Sequence, residues 1–399
     1  MSGFPYQELK SPYRILLGPG PSNIHPRVQK AMMEPLVGHL DPYISTIMDD
    51  TANLLRFVFQ TKNELAFPIS GTGFSGMDAA FGNFIEPGDV AVIGVNGIFG
   101  EKMTDIAQRY GAEVIRVEAE WGKMVEPEAV AAVLKTQKKV KLVALVHVET
   151  STGVLQPLEE ISRLAKEHEA LFLVDTVASL GGQEVAVDDW GIDIGYSGSQ
   201  KCLSAPPGLA PFTANRTALD TLTKRAKKVP SFYLDLSLIA KYWTAGTKAY
   251  HHTGPVLQFY ALHEALALIA EEGLEARVTR HLRNGTALRA GLEAMGLKLF
   301  AQEECRSNSL TSVCIPVGVD DLRIRQRLLN DFSIEIGVGL GALKGKIWRI
   351  GLMGHSSSLE NVLLILAVLE KLLADEGYKT EPGAGLTAAS QILKQSTTE

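Results

Sequence analysis

The feature that most constrains the fold is an alternation of short apolar runs with helical patterns over residues 65–196. Six apolar runs predict strands, at Leu65–Ile69, Val90–Val95, Glu113–Val117, Leu142–Val148, Leu171–Val174 and Ile192–Tyr196. Helical patterns between them lie at Phe74–Phe84, Gly100–Tyr110, Pro127–Leu134 and Leu158–Glu167. Strands that are apolar on both faces require a sheet covered on both sides. The alternation therefore predicts an α/β domain with a mainly parallel sheet, whose ligands bind at the carboxyl ends of the strands.

The pattern changes near Leu274, where a long amphipathic helix extends to about Met295. Short strands are predicted at Leu297–Phe300, Leu310–Ile315 and Ile347–Ile350, with helices at Leu322–Phe332 and Leu359–Ala374. This mixture predicts a smaller α+β domain. We therefore expect an extended, Pro- and Gly-rich arm at residues 1–22, a large domain at 23–272, a small domain at 273–376 and a polar tail at 377–399. The tail is expected to be peripheral or mobile because it is rich in small and polar residues.

Composition excludes several classes of protein. The chain has 399 residues, of which 46% are hydrophobic and 21% charged, which is enough for two domains with substantial cores. Its net charge of −6 is spread along the chain, which argues against nucleic acid or an anionic membrane as a partner. We find no signal peptide and no run long enough to span a bilayer. Three cysteines without CxxC spacing, Cys202, Cys305 and Cys314, favour a reducing, cytoplasmic location.

Lys201 is the only side chain between Asp193 and Arg216 that should be charged at neutral pH. It follows an apolar run and precedes a turn rich in Pro and Gly. Partial desolvation would lower the pKa of its amine, and a neutral amine can attack a carbonyl carbon. The alternative is an ordinary solvated lysine on a loop, which is the usual environment of this residue type.

A glycine-rich turn, Gly71-x-Gly73-x-x-Gly76, follows one predicted strand and opens the next helix. This spacing matches a dinucleotide-binding fingerprint, which also needs an acid at the end of the second strand. That strand instead ends in Asn96-Gly97, so the dinucleotide interpretation loses most of its support. A phosphate held by backbone N–H groups at a helix N-terminus remains possible. The alternative is a tight turn without a ligand.

Other candidates for a site lie at predicted strand ends. Asp175 could pair with a protonated pyridine nitrogen, or it could cap a helix. Arg349 interrupts an apolar strand and suits a substrate carboxylate, although a structural ion pair is an alternative. Phe99 could stack on a ring or join the core. The segment His147–Gly153 could bind a ligand or only shape its turn.

The segment Tyr250-His251-His252-Thr253 is not expected to bind a metal, because adjacent histidines point apart on a strand or a helix. The remaining candidates supply a phosphate cup, a stacking ring, an acid, an isolated lysine and an arginine for a carboxylate. Those are the groups needed to bind pyridoxal phosphate (PLP) and an amino acid.

With these residues in view, the chain resembles the class V, fold-type I PLP aminotransferases, and most closely the alanine–glyoxylate aminotransferases. The resemblance runs from about Leu16 to Gly354. Its most specific stretches are Leu17–Asn23, Ser151–Pro157, Val174–Gly182, Tyr196–Lys201, Tyr250–Thr253 and Trp348–Gly354. The resemblance implies a mainly parallel seven-stranded sheet in the large domain, PLP as cofactor and a homodimer with shared active sites.

The resemblance also implies roles for individual residues. Lys201 would carry PLP as a Schiff base, Asp175 would pair with the pyridine nitrogen, and Val177 would lie against the ring. Residues expected to help hold the cofactor are Thr72, Gly73, Phe74, Phe99, Thr150 and Gln200. Tyr250 and Thr253 would reach the phosphate bound by the partner subunit. Arg349 would take the substrate carboxylate, helped by groups near Gly20 and Ser179.

The expected reaction transfers an amino group from alanine to glyoxylate, giving pyruvate and glycine by a ping-pong mechanism. Serine, ureidoglycine or 3-hydroxykynurenine remain alternative donors, because the segment Gly38–Pro42 differs from that of the animal enzymes. Phe99 stands where those enzymes have tryptophan, and Phe74 stands where they have histidine. Alternatives of other kinds are a cysteine desulfurase-like lyase using Cys305 or Cys314, an NAD-dependent oxidoreductase and a non-catalytic binding module.

Overall fold

The computed structural model describes residues 8–243 and 248–395, so residues 1–7 of the expected arm and 396–399 of the expected tail lie outside the described residues. The described strands are β1 Ile15–Leu16, β2 Leu65–Ser70, β3 Val90–Val95, β4 Glu113–Glu118, β5 Leu142–Val146, β6 Val148–Glu149, β7 Val154–Leu155, β8 Leu171–Asp175, β9 Ile194–Tyr196, β10 Leu209–Ala214, β11 Leu310–Cys314, β12 Ile334–Glu335, β13 Gly337–Val338 and β14 Ile347–Gly351. The described α-helices are α1 Pro26–Ala31, α2 Pro42–Phe59, α3 Gly73–Phe84, α4 Ile98–Arg109, α5 Pro127–Thr136, α6 Glu159–Glu167, α7 Arg216–Thr223, α8 Leu236–Trp243, α9 Val256–Glu272, α10 Leu274–Ala294, α11 Asp321–Phe332, α12 Leu359–Asp375 and α13 Ala384–Gln395.

The central sheet has seven strands in the order β2-β10-β9-β8-β5-β3-β4. Strands β9, β8, β5, β3 and β4 pair in parallel, whereas β10 is antiparallel to both of its neighbours, β2 and β9. Strands β5, β8 and β10 are buried along their whole length, as strands covered by helices on both faces must be. The expected mainly parallel, seven-stranded α/β architecture is therefore confirmed.

Two local expectations for this sheet were incomplete. The run predicted as one strand, Leu142–Val148, ends at Val146, and Val148–Glu149 pairs instead with Val154–Leu155. The strand Leu209–Ala214 was not predicted from the sequence. Because it follows a turn rich in Pro and Gly, its apolar run lacks the helix–strand alternation that marks the parallel strands.

A second core lies under a three-stranded sheet in the order β11-β14-β13. Helices α10, α11, α12 and α13 contribute buried side chains to this core. The residues at Leu297–Phe300 do not form the predicted strand and make only an isolated bridge between Leu299 and Val313. The α+β composition expected for this part of the chain is present.

Parts of both the expected arm and the expected tail pack against the second core. Strand β1, within the predicted arm, pairs in parallel with β12, and the neighbouring Leu17 is completely buried in the second core. In the predicted tail, α13 packs on α10 and buries Ala389 and Leu393. The prediction of a peripheral tail is therefore wrong for Ala384–Gln395, because small residues in this segment allow close helix packing. None of the described helices is long and apolar enough to cross a membrane.

Candidate active site

A cavity of about 150 Å³ lies at the carboxyl ends of the central strands. Its lining consists of Thr72, Gly73, Phe74, Met77, Phe99, Val146, Val148, Thr150, Asp175, Val177, Ala178, Gln200 and Lys201. Nine of the site residues named from the sequence share this one space, although they come from five separate stretches of chain. A larger cavity of about 1070 Å³, beside α2, α7 and α8, contains none of them. The chemistry therefore points to the smaller cavity.

Lys201 follows β9 and directs its amine into this cavity. The Nζ atom donates a hydrogen bond to the carbonyl oxygen of Pro19. Burial lowers the pKa of the Lys201 amine to about 8, and the positive charge of Arg349 acts in the same direction. Gly20 lies directly against the lysine chain: a Cβ there would come 2.5 Å from Cδ of Lys201, and the backbone φ of +107° favours glycine. The structure thus supplies an amine that is partly neutral at physiological pH.

Asp175 ends β8 with only 2% of its surface exposed. Its Oδ1 accepts the N–H of Val177 at 2.8 Å, and its Oδ2 accepts the hydroxyl of Tyr196 at 2.9 Å. Burial raises the pKa of Asp175 to about 7, although both hydrogen bonds favour the ionised form. A cationic group placed against this carboxyl would restore its charge, since opposite charges stabilise each other strongly in a buried site.

The glycine-rich turn forms one wall of the cavity. The N–H of Gly71 donates to the carbonyl of Gly208 at 2.9 Å, which fixes the turn to β10. Helix α3 then starts at Gly73, after Thr72, whose side chain makes no capping hydrogen bond. A Cβ at Gly73 would lie 3.2 Å from Val177, so glycine lets these two walls approach each other. The N–H groups of Gly73 and Phe74 at the start of this helix can bind a phosphate, whereas that of Ser75 donates to the carbonyl of Thr72 at 2.7 Å.

Two aromatic rings flank the opening. Phe74 is 48% exposed, whereas Phe99 is half-buried at the start of α4. Their ring centroids are 6.2 Å apart and the ring planes are tilted by 34°. Phe99 therefore packs against the large core with part of its ring free to meet a flat ligand in the cavity.

Arg349 lies on β14 of the second core and is 5% exposed. Its Nε donates to the carbonyl of Val338 at 2.8 Å, and its Nη1 donates to the carbonyl of Thr150 at 3.1 Å. Within the described residues no carboxylate forms an ion pair with it, contrary to the structural alternative. Burial lowers the pKa of Arg349 to about 10. A buried guanidinium held only by carbonyl groups is well suited to an anionic substrate group.

Besides Arg349, four of the expected site residues do not line the cavity. Tyr250 is 62% exposed and Thr253 is also exposed, so neither turns toward the cavity of its own chain. Ser179 is completely buried, and its Oγ has no hydrogen-bond partner among the described residues. Gly20 contributes through its contact with the lysine chain described above.

The histidines next to Tyr250 do not point apart as expected. Their Nδ1 atoms are 2.8 Å from each other, because residues 248–255 are neither strand nor helix. His252 also uses its Nε2 to contact the hydroxyl of Ser70 at 2.6 Å. No group of three or more metal-ligating side chains occurs among the described residues.

The competing chemistries receive little support from the geometry. Cys305 is 2% exposed and burial raises the pKa of its thiol, as it also does for Cys314, so neither is an activated nucleophile. Asn96, at the position where a dinucleotide site needs an acid, donates its amide to the carbonyl of Lys123 at 3.0 Å. Both the desulfurase-like and the NAD-dependent interpretations therefore lack their essential group.

Sequence reasoning did not name four apolar or small lining residues, Met77, Val146, Val148 and Ala178, and it also missed a carboxylate beside the cavity, Glu149. The segment His147–Gly153 was interpreted as either a ligand site or a turn, without a role for this carboxylate. Glu149 is completely buried and accepts hydrogen bonds from the N–H groups of Phe99 and Ser151, both at 2.9 Å. The available signal was a lone acid at the end of an apolar run, which a chain buries only with hydrogen-bonding partners.

The cavity residues fit PLP. The buried Asp175 matches a protonated ring nitrogen, Lys201 matches an aldehyde, and the start of α3 matches a phosphate. Phe99 and Val177 add apolar surface to the cavity lining, which suits a flat ring. The buried Oε1 of Gln200 has no partner among the described residues, so it is free to bind a ligand.

Comparison with known proteins agrees with this site. The family described as "Aminotransferase class-V" matches residues 16–347. The (S)-ureidoglycine–glyoxylate transaminase of Bacillus subtilis is 43% identical over 406 aligned positions, covering 97% of each chain. The crystal structure of ureidoglycine–glyoxylate aminotransferase from Bacillus subtilis superposes with a TM-score of 0.94, covering 97% of this chain and all of the other.

Two alanine–glyoxylate aminotransferases are similarly related. The crystal structure from Nostoc sp. has a TM-score of 0.90 at 48% identity, covering 93% of this chain and 98% of that one. The Drosophila melanogaster protein is 39% identical over 376 residues, covering 93% of this chain and 95% of its own. The chain therefore belongs to the class V aminotransferases of fold type I, which use pyridoxal 5'-phosphate as their cofactor.

Proposed function

We propose that this aminotransferase transfers the amino group of alanine to glyoxylate, giving pyruvate and glycine. The observation that carries the proposal is a single lysine amine facing a buried carboxyl in a cavity whose wall, at Thr150, is hydrogen-bonded to Arg349. Glyoxylate as acceptor is supported by the names of the relatives from Bacillus, Nostoc and Drosophila. Alanine as donor is supported by the names of the relatives from Nostoc and Drosophila.

The residues of the chain divide the work by their chemistry. PLP supplies an electron-withdrawing ring that makes the α-proton of a bound amino acid acidic. Asp175 would pair its carboxylate with the ring nitrogen and so keep that nitrogen protonated. Lys201, whose free amine has a pKa of about 8, would accept the α-proton at Nζ and release it again as the amino group is transferred. Arg349 holds the substrate carboxylate, so that the Cα–H bond is presented to the Lys201 amine.

Amino transfer in two half-reactions predicts ping-pong kinetics. Alanine binds first and leaves as pyruvate before glyoxylate enters the same cavity. Both substrates are therefore expected to compete for Arg349. Parallel lines in double-reciprocal plots, together with inhibition by excess glyoxylate, are the expected kinetic result.

Ureidoglycine is the second candidate donor, favoured by the 43% identity to the Bacillus subtilis enzyme over nearly the whole chain. Its ureido group needs hydrogen-bonding partners, whereas the methyl group of alanine needs only apolar contact. A panel of alanine, serine, ureidoglycine and 3-hydroxykynurenine with glyoxylate as acceptor separates these donors. Small pockets discriminate such side chains by only about 1–3 kcal/mol, so partial overlap is expected. An alanine kcat/KM several-fold below that of another donor would refute the proposed donor.

The cofactor chemistry has its own test. The purified protein should show the visible absorption of protein-bound PLP, and Lys201→Ala should abolish that band while leaving the protein folded. Asp220→Asn, a substitution in α7 outside the cavity lining, serves as the matched control and should keep the band. A wild-type protein that takes up no PLP on titration would contradict the role of this cavity.

We further propose that the active unit is a homodimer. The exposed Tyr250 and Thr253 would complete the phosphate end of the partner's cavity, which explains why they face away from their own. Mixing Lys201→Ala with Tyr250→Ala protein tests this arrangement. Each variant alone should be inactive or weak, and subunit exchange should restore one intact cavity per mixed dimer. A mixture no more active than its components would refute shared sites.

A further inference from the structure

The buried carboxylate of Glu149 joins two separate parts of the chain that contribute to the cavity lining. Its Oε2 accepts the N–H of Phe99 at 2.9 Å and that of Gly100 at 3.4 Å, both in the first turn of α4. Its Oε1 accepts the N–H and the hydroxyl of Ser151, at 2.9 and 2.6 Å. The first turn of α4 therefore holds one carboxylate oxygen, and Ser151 holds the other.

The segments that Glu149 connects carry the cavity walls. Phe99 and Thr150 both line the cavity. The carbonyl of Thr150 accepts the guanidinium of Arg349 at 3.1 Å. The backbone N–H of Phe99 is thus bonded to Glu149, and the next residue in the chain, Thr150, is bonded to Arg349 of the second core.

Only a carboxylate can satisfy this arrangement. Four donors converge on two oxygens, whereas the side-chain amide of glutamine would place an NH₂ group against one donor pair. The neighbouring backbone is shaped for the carboxylate, because a Cβ at Gly97 would lie 2.4 Å from Cδ of Glu149. The site at the start of a 12-residue helix also favours a negative charge.

We propose that Glu149 is a positioning residue that holds Phe99 and the Thr150–Arg349 contact in fixed relation, so that cofactor binding and substrate-carboxylate binding depend on the same carboxylate. Glu149 does not line the cavity and acts only through its neighbours. The inference rests on the proposed role of Arg349 at the substrate carboxylate.

The test measures PLP affinity and steady-state constants in Glu149→Gln. Loss of charge-assisted hydrogen bonds on one side of the carboxylate should raise the Kd for PLP about tenfold. The KM for glyoxylate should also rise about tenfold, with kcat changed by less than about threefold, because Lys201 and Asp175 are untouched.

Glu86→Gln is the matched control. The Glu86 carboxylate likewise accepts two backbone N–H groups, from Ala226 and Lys227 at 3.3 and 3.0 Å, but neither of these donors belongs to a residue that lines the cavity. This control can lower the melting temperature, yet it should leave the Kd for PLP and the KM unchanged. A Glu149→Gln protein that loses thermal stability but keeps both constants within twofold of wild type would show a merely structural role and overturn the proposal.

A milder variant covers the case in which Glu149→Gln does not fold. Ser151→Ala removes the hydroxyl donor at 2.6 Å and also the acceptor of the Ile98 N–H, whereas the Glu149 carboxylate keeps its hydrogen bonds to the N–H groups of Phe99 and Gly100. The Kd for PLP and the KM for glyoxylate should then both rise about threefold. If neither constant changes, the proposal is overturned. A rise in the Kd for PLP without a rise in KM overturns the connection to Arg349. If wild type does not use glyoxylate, the proposed function fails, whereas the PLP measurement still tests Glu149.

Discussion

Replacing Asp175 with asparagine should stabilise the PLP-free protein at neutral and alkaline pH while impairing its chemistry. Burial raises the pKa of Asp175 from 3.8 to about 7 in the folded chain. The folded protein therefore keeps this proton up to about pH 7, whereas the unfolded chain releases it near pH 4. The free energy of unfolding should therefore fall as the pH rises from about 4 to about 7. Asparagine has no proton to lose and keeps hydrogen bonds to Val177 and Tyr196.

The magnitude follows from the shift. Each pKa unit corresponds to about 1.4 kcal/mol, so ionising Asp175 costs the PLP-free fold up to about 4 kcal/mol. Between pH 5 and pH 8, the difference in unfolding free energy between Asp175→Asn and wild type should grow by about 3 kcal/mol. Urea unfolding of both PLP-free proteins at several pH values measures this difference, in which the other titrating groups cancel.

Two further measurements bear on the same reasoning. Tyr196→Phe removes a hydrogen bond that favours the carboxylate, so the pH window of wild-type destabilisation should move upward. Added PLP should remove the advantage of the asparagine variant, because a protonated ring nitrogen stabilises the Asp175 carboxylate. A stability difference between Asp175→Asn and wild type that stays constant from pH 5 to pH 8 would refute the argument.

Three other substitutions test separate parts of the structure. Arg349→Lys should raise the KM for glyoxylate by about 10–100-fold, since an ammonium group cannot bind a carboxylate in a bidentate way. Steady-state kinetics measure this KM, and the visible absorption of bound PLP should stay unchanged. Gly20→Ala should lower kcat, because the added Cβ would lie 2.5 Å from Cδ of Lys201 and would displace that side chain, and single-turnover rates measure the effect. Leu393→Ala should cost about 2–4 kcal/mol of unfolding free energy without changing KM, whereas unaltered urea unfolding would show that α13 adds nothing to the second core.

The order and type of most elements in the large domain could be predicted from local pattern. Apolar runs such as Leu171–Val174 and helices such as Pro127–Thr136 need only periodicity and their neighbours in sequence to be recognised. Lys201, Asp175 and the turn at Gly71–Gly76 could also be selected, because each breaks a local rule: an isolated cation, an acid at a strand end and a cluster of glycines.

Helix α2 and strand β10 were not predicted, and neither was the pairing of β1 with β12. That pairing joins Ile15 to Ile334 across more than 300 residues, so no local window contains it. The burial of Leu393 has the same cause, because α13 finds its apolar surface on α10, about 100 residues earlier in the chain.

The sequence by itself determined the class of fold, the family and the chemical identity of the lysine, the acid and the arginine. Only the tertiary structure decided how they meet. It encloses the Lys201 amine, which lowers its pKa, and it buries Asp175, which raises the pKa of that carboxyl. It also brings Arg349 to the carbonyl of Thr150 and places Glu149 beneath Phe99. These properties depend on desolvation and on contacts between distant segments, and both arise only when the chain has closed around the cavity.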